Sequence, residues 1–178
     1  MKIQCFAYVH SMTGPSMHAR GFIKALARTG LDVSVKTHFA VSPNWILDPD
    51  IHVCFEKPLY DSAVRILMED PATWWNHYLE KKNKLIGVMI FEGTCIPYSW
   101  AEVAAQPELD EIWTCSNHSR EAILNGFKEH NFAVSQNKVK VIPHGYDPEY
   151  FHVQGKKMKV GQLDDYFTFL YVGGWSQG

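Results

Sequence analysis

The feature that most constrains the fold of this chain is the alternation of short apolar segments with amphipathic segments along almost its whole length. The apolar segments are rich in Val, Ile and aromatic residues, which suits strands of a parallel sheet that is covered on both faces. We therefore predict six strands, and we find no internal repeat or low-complexity tract between them. The predicted strands are residues 2–10, 31–37, 51–56, 84–92, 111–116 and 138–143.

The amphipathic segments between these strands have recognisable helix ends. Residues 17–29 place apolar side chains one turn apart and stop at Gly30, the residue type that commonly follows a helix. Polar capping residues mark the starts of the other helices. They are Asp70 followed by Pro71, a capping box of Ser99 and Glu102 that exits at Pro107, and a cap at Ser116 or Asn117.

Strands that alternate with helices through short connections form a parallel sheet with right-handed crossovers. The sequence therefore predicts an α/β fold with a doubly wound, mainly parallel six-stranded Rossmann-like sheet. In such sheets ligands bind at the carboxyl ends of the strands, near the point where strand order reverses. The loops of interest are then residues 10–16, 92–98, 116–118 and 144–147.

Composition excludes several classes of protein. A formal net charge of −2 gives no electrostatic footprint for nucleic acid. The four cysteines are far apart and the nine histidines are scattered, so the sequence predicts free thiols and no metal site. No apolar stretch reaches the roughly 20 residues of a membrane span, and no signal-peptide pattern is present. We expect a cytoplasmic protein; whether it touches a membrane surface stays open.

The loop after the first strand reads "SMTGPSMHARGF" and has one glycine where a dinucleotide fingerprint has three. An ordinary NAD site is therefore not predicted. Gly14 before a helix could still bring backbone N–H groups close to a phosphate at the helix N-terminus. The alternative is that Gly14 belongs to a plain structural turn.

Three segments occur in a characteristic order. They are "FEGTCIPYSWAEVAAQPELDEIWTCSNHSREAILNGF" (91–127), "KVKVIPHGYDPEYF" (138–151) and "FTFLYVGGWSQG" (167–178). Together they resemble the amino-terminal half of retaining GT-B glycosyltransferases of the large family 4 group. The matching positions are Glu92, Pro97, Trp100, Asp110 to Trp113, Ser116, Ser119, Ile142 to Asp147, Phe151 and Phe169 to Gly173.

The resemblance implies a division of the chain into three parts. Residues 1–144 would form the Rossmann-like acceptor-side domain, 145–166 an interdomain linker, and 167–178 the start of a donor-binding domain. Such enzymes are about twice this length, so we expect the chain to be a fragment whose carboxy-terminal donor domain is missing. The isolated chain should then be inactive.

The implied activity is retaining transfer of a sugar from a nucleotide-sugar donor to a carbohydrate, lipid or protein acceptor, with no cofactor and no obligatory metal. The resemblance places Glu92 in the sugar or acceptor pocket as the candidate catalytic residue. It places Gly14 and Ser16 near the diphosphate, although Pro15 removes an N–H that could have contacted it. Further candidate binding residues are Ser116, His118, His144, Tyr146 and Gly173.

Each candidate has a structural alternative. Glu92 could be a solvated loop carboxylate, Ser116 a helix cap, and His144 a turn residue. We expect Trp100 and Trp113 to belong to the core rather than to sugar platforms. The chain as a whole could instead be a non-catalytic Rossmann-like binding or interaction module, or a different GT-B or epimerase-type enzyme, although the retained motif order argues against the latter.

The segment 167–173 alternates aromatic and smaller side chains and would be buried in a second sheet of a complete enzyme. An apolar strand without a sheet tends to recruit another edge. We therefore expect it to join this domain's own sheet or to pair with the same segment of a second copy, giving a strand-mediated dimer.

Overall fold

The structure is a computed structural model that describes residues 1–11, 13–37, 49–58, 64–79, 81, 83–148 and 151–155. Its centre is a six-stranded sheet with the strand order β2-β1-β3-β4-β5-β6. All five neighbouring pairs are parallel, and Ile3 of β1 lies opposite both Val33 of β2 and Val64 of β3. The strands are β1 (Lys2–Ala7), β2 (Asp32–Lys36), β3 (Val64–Met68), β4 (Leu85–Val88), β5 (Glu111–Thr114) and β6 (Val139–Val141).

Helices cover both faces of this sheet, so the predicted doubly wound Rossmann-like α/β fold is confirmed. Strand order reverses between β1 and β3, which is the topological switch point of the sheet. The α-helices are α1 (Gly14–Arg28), α2 (Pro49–Phe55), α3 (Trp75–Tyr78), α4 (Tyr98–Ala105) and α5 (Asn117–Glu129), with short 3-10 helices at Pro71–Thr73 and Gln136–Lys138.

The third strand differs from the prediction. Residues 51–55 of the predicted strand 51–56 belong to α2, and the third strand is instead Val64–Met68, which was not predicted. Pro49 and Asp50 begin α2, as their residue types favour at a helix start, and Ile51 and Cys54 are buried one turn apart. A short apolar run is compatible with the two-residue period of a strand or the 3.6-residue period of a helix, and this run follows the helical period.

The two faces of the sheet bury separate apolar clusters because alternate side chains of each strand point to opposite faces. On one face Cys5 and Ile66 pack with residues of α1 and α2, including Ile23 and Ile51. On the other face the core contains side chains from α3, α4 and α5. Its members include Phe6, Leu67, Trp74, Ala101, Val103, Ile112, Ile123 and Phe127.

The helix ends show which capping signals were correct. Gly30 follows α1 with φ of 78°, as expected of the residue that ends a helix. The Asp70 side chain accepts a hydrogen bond from the Ala72 N–H and caps the first 3-10 helix. The capping box at Ser99 was wrong, because Pro97 holds the N-cap position and Ser99 already lies inside α4.

The chain divides into two compact units, Met1–Gly145 and Tyr146–Gly178. In the second unit the Phe151 N–H donates to the Asp147 carbonyl, and the side chain of Phe151 is exposed. Most of the proposed linker 145–166 and all of 167–178 lie outside the described residues, so the predicted strand pairing and dimer stay predictions.

Candidate functional site

The carboxyl edge of the sheet is where the candidate residues lie. All six strands are parallel, so all of them end at this edge, and the long helices α1 and α5 begin there. The four segments that concern the candidate site follow β1, β4, β5 and β6. The first-unit residues predicted from the sequence are on these segments, which include the first turns of α1 and α5.

The loop between β1 and α1 carries a cluster of hydroxyl groups. The Ser11 hydroxyl shares hydrogen bonds of 2.6 Å with the hydroxyls of both Thr13 and Ser16. Ser16 is fully buried, whereas Gly14 is exposed at the first position of α1. A Cβ built on Gly14 would meet no atom within 4 Å, so packing within the described chain does not require glycine there.

Arg20 fixes the shape of this loop from within α1. Its Nη1 donates to the carbonyl of Val9 at 2.6 Å and to that of Ser11 at 2.8 Å. These two carbonyls flank His10, whose pKa is lowered by burial and by the positive charge of Arg20. The guanidinium therefore holds both sides of the turn that precedes the hydroxyl cluster.

A second group of candidates meets at the start of α5. The Ser116 hydroxyl accepts a hydrogen bond from the Ser119 N–H at 3.1 Å, so Ser116 is the N-cap, which is the structural role weighed for it. His118 Nε2 donates to the main-chain carbonyl of Glu92 at 3.0 Å. The structure therefore brings Glu92, Ser116 and His118 together, with the side chain of Glu92 exposed.

Ser119 ties the loop after β4 to the same helix. Its buried hydroxyl accepts a hydrogen bond from the Phe91 N–H at 2.9 Å. The first turn of α5 therefore holds the backbone at both Phe91 and Glu92.

His144 follows β6 and contacts α1 rather than α5. Its ring stacks on that of His18, with centroids 4.2 Å apart and an interplanar angle of 28°. Burial, followed by the positive charge of His144, lowers the pKa of His18 to about 4. His18 was not among the predicted residues, because its contact with His144 depends on the way the chain returns across the sheet.

The remaining candidates fall elsewhere. Tyr146 belongs to the second unit and is exposed, and Gly173 lies outside the described residues. Trp100 and Trp113 are partly buried against the two apolar clusters, as expected of core residues.

A buried polar pair at the end of β3 was also missed. His77 Nε2 and Glu69 Oε1 lie 2.7 Å apart, and both side chains are almost completely buried. The His77 ring contacts Phe6 edge-on at 4.3 Å. Burial raises the pKa of the neighbouring Tyr8, and the charge of Glu69 raises it further. The sequence signal for this pair was the largely apolar run at Val64–Met68, which is followed directly by Glu69 and Asp70. Two acidic residues after a strand would then lie near the switch point of the sheet.

Within the described ranges, no group of three or more His, Cys, Asp or Glu side chains could hold a metal ion. All four cysteines are free, and burial raises the pKa of Cys5 to about 12. No helix found in the described part of the chain is long and apolar enough to cross a membrane.

Comparisons of the chain with protein-family models, with curated protein sequences and with solved structures gave no match.

Proposed function

We propose that this chain is the acceptor-side half of a retaining GT-B glycosyltransferase, which transfers a sugar from a nucleotide-sugar donor to an acceptor. The observation that supports the proposal best is the placement of motif residues that are distant in sequence. Gly14 and Ser16, Glu92 and His118, and His144 come from four connections, and all of them lie at the carboxyl edge of one parallel sheet. This is the edge at which doubly wound folds bind ligands.

The α1 terminus suits the donor diphosphate in this proposal. The N-terminus of a helix of 15 residues favours negative charge. The exposed Gly14 leaves room for a phosphate to approach the backbone, and the hydroxyls of Ser11 and Thr13 offer further donors. Pro15 contributes no N–H, so fewer backbone donors are available than at a glycine-rich loop.

Glu92 suits the role of the carboxylate beside the sugar or the acceptor. Breaking the bond between the anomeric carbon and the diphosphate leaves positive charge on the sugar, which a fixed carboxylate stabilises. The loop of Glu92 is held by His118 and Ser119, so its carboxylate starts from a defined backbone position. Preorganisation of this kind lowers the reorganisation required during reaction.

The test is a transfer assay on the complete gene product with a panel of nucleotide sugars. Glu92→Gln should lower kcat/KM by about 100-fold or more, since it removes a charge aimed at the reacting centre. Glu129→Gln is the matched control, because Glu129 is an exposed glutamate at the opposite end of α5. Equal activity of the two variants would remove Glu92 from the proposed site.

The same assay separates the proposal from its alternative. A chain that supplies only one side of the cleft cannot stabilise the transition state, so residues 1–178 alone should show no turnover. Turnover by this chain without a partner would contradict the proposal that it supplies only the acceptor side of the cleft. Binding of a nucleotide sugar by the complete gene product, with no transfer or hydrolysis, would favour a non-catalytic binding module.

A further inference from the structure

The chain leaves the first unit through the segment 143–145, and a ring contact joins this segment to α1. The last ladder hydrogen bond of the sheet runs from the Ile142 N–H to the Thr114 carbonyl at 2.7 Å. Pro143 has no N–H to continue the ladder. Within the described chain, no hydrogen bond joins 143–145 to another element, and the ring of His144 stacks on that of His18 in α1.

The surroundings of this stack are poor in charges that would favour a protonated imidazole. Phe22 lies beside His18 on α1, with ring centroids 6.1 Å apart. Arg20 is directed at the carbonyls of the β1–α1 loop, on the side of His10. In the described ranges no carboxylate forms an ion pair with His18 or with His144.

Of the charged side chains on the elements packed against α1, Lys36 at the end of β2 lies over the ring of Phe6, with its Nζ 6.0 Å from the ring centroid, and others form pairs at the far end of α1. Arg28 lies 3.9 Å from Asp50 of α2, and Lys57 lies 2.8 Å from Asp32 of β2. The pair formed by His52 of α2 and Glu56, which follows that helix, is exposed. The ionisable group in direct contact with His18 is His144. Two protonated imidazoles would repel each other at this distance, so the stack is stable when at least one ring is neutral.

We propose that the stacked imidazoles of His18 and His144 form a pH-sensitive latch, which fastens the exit segment 143–145 to α1 and releases it on protonation. The signal to which this latch responds is the binding of a proton. The inference does not depend on the proposed glycosyl transfer, because it uses only the ring contact and its surroundings.

The direction of the pH effect follows from the difference between the pKa of His18 in the latched state and in the open state. In the latched state the pKa of His18 is about 4, and in an open state it returns toward the ordinary value of 6.5. Protons therefore bind the open state better. The latch is fully stable above pH 6.5 and loses stability as the pH falls toward 4, so the opening equilibrium should rise about 30-fold between pH 8 and pH 5.

The test is an NMR titration of the histidine ring protons in the full 178-residue chain and in three variants. In the wild type, His18 should titrate near 4 and show an NOE to the His144 ring at pH 8. His144→Ala should move the pKa of His18 upward toward 6.5. His144→Phe keeps an aromatic neighbour and removes only the charge, so the upward shift should be smaller.

Backbone relaxation of residues 144 and 145 provides the second measurement. Exchange between latched and open states should grow as the pH falls from 8 to 5 in the wild type. His18→Phe keeps an aromatic ring in the stack and removes the titrating group at position 18, so that exchange should no longer depend on pH. A His18 pKa near 6.5 in the wild type, an unchanged His18 pKa in His144→Ala, or the same pH dependence in His18→Phe would overturn the proposal.

Discussion

Replacing Gly87 with alanine should disrupt the contact between β4 and the buried ring of Trp74. A Cβ at position 87 would lie 2.3 Å from Cη2 of Trp74 and within 2.8 Å of two more ring atoms. Carbon atoms in good contact are about 3.5–4.0 Å apart, so the indole would have to move by about 1.2 Å or more. Gly87 is thus fixed by close packing rather than by backbone conformation.

Trp74 has little freedom to make this movement. Its side chain is completely buried within an apolar cluster, and its Nε1 donates to the Glu69 carbonyl at 3.3 Å. Overpacking of a well-filled core costs typically about 1–3 kcal/mol, and the short distance to a rigid ring places Gly87→Ala near 3 kcal/mol of destabilisation. The free energy of unfolding in urea measures this.

Gly21→Ala is the matched control. Gly21 lies inside α1, is exposed, and would give its Cβ nothing within 4 Å. Alanine there should stabilise the chain by about 0.5–1 kcal/mol, because glycine weakens a helix interior. In a Trp74→Leu background, the further cost of Gly87→Ala should shrink because the opposing ring is gone. A change of less than about 0.5 kcal/mol for Gly87→Ala in the wild-type background would show that Trp74 does not pack closely against position 87.

Three further predictions concern stability and reactivity. Ser116→Ala should cost about 1 kcal/mol in urea unfolding by removing the α5 cap, whereas Ser99→Ala should change little; equal effects would contradict the assigned helix starts. Glu69→Ala should cost about 3–5 kcal/mol by leaving His77 buried without this partner, and Glu69→Gln should cost less; a mild effect of Glu69→Ala in the same denaturation assay would contradict the buried pair. The pKa of Cys5 is about 12 in the folded chain, against an ordinary value of 9.0. The free energy of unfolding should therefore fall as the pH rises from 9 toward 12. The folded thiol should also resist alkylation at pH 8, which mass spectrometry would show.

The sheet was predictable because its strands are apolar runs separated by helix signals that act locally. Gly30, Asp70 and Ser116 mark helix ends through their own backbone and side-chain chemistry, so one sequence suffices to place them. The strand at Val64–Met68 was missed because the run at 51–56 was assigned to the sheet in its place. That run begins two residues after Pro49, which is a helix-start signal.

The sequence could predict which loops and helix starts reach the carboxyl edge of the sheet. Ser16, Glu92 and His118 were predicted to lie there in this way, since parallel strands deliver the segments that follow them to a common edge. The stack of His18 on His144 was not predictable, because the two rings are brought together by the packing of α1 and by the path of the chain after β6. Glu69 was missed together with the strand that precedes it.

Proton NMR of a nucleotide sugar mixed with the complete gene product distinguishes retaining transfer from the other possibilities. We expect release of the nucleoside diphosphate and a sugar product, formed with an acceptor or with water, that has the anomeric configuration of the donor. The spectra must be recorded before the free sugar mutarotates. Inversion at the anomeric carbon, or no consumption of any UDP-, GDP-, ADP- or dTDP-linked sugar, would rule out retaining glycosyl transfer by this protein.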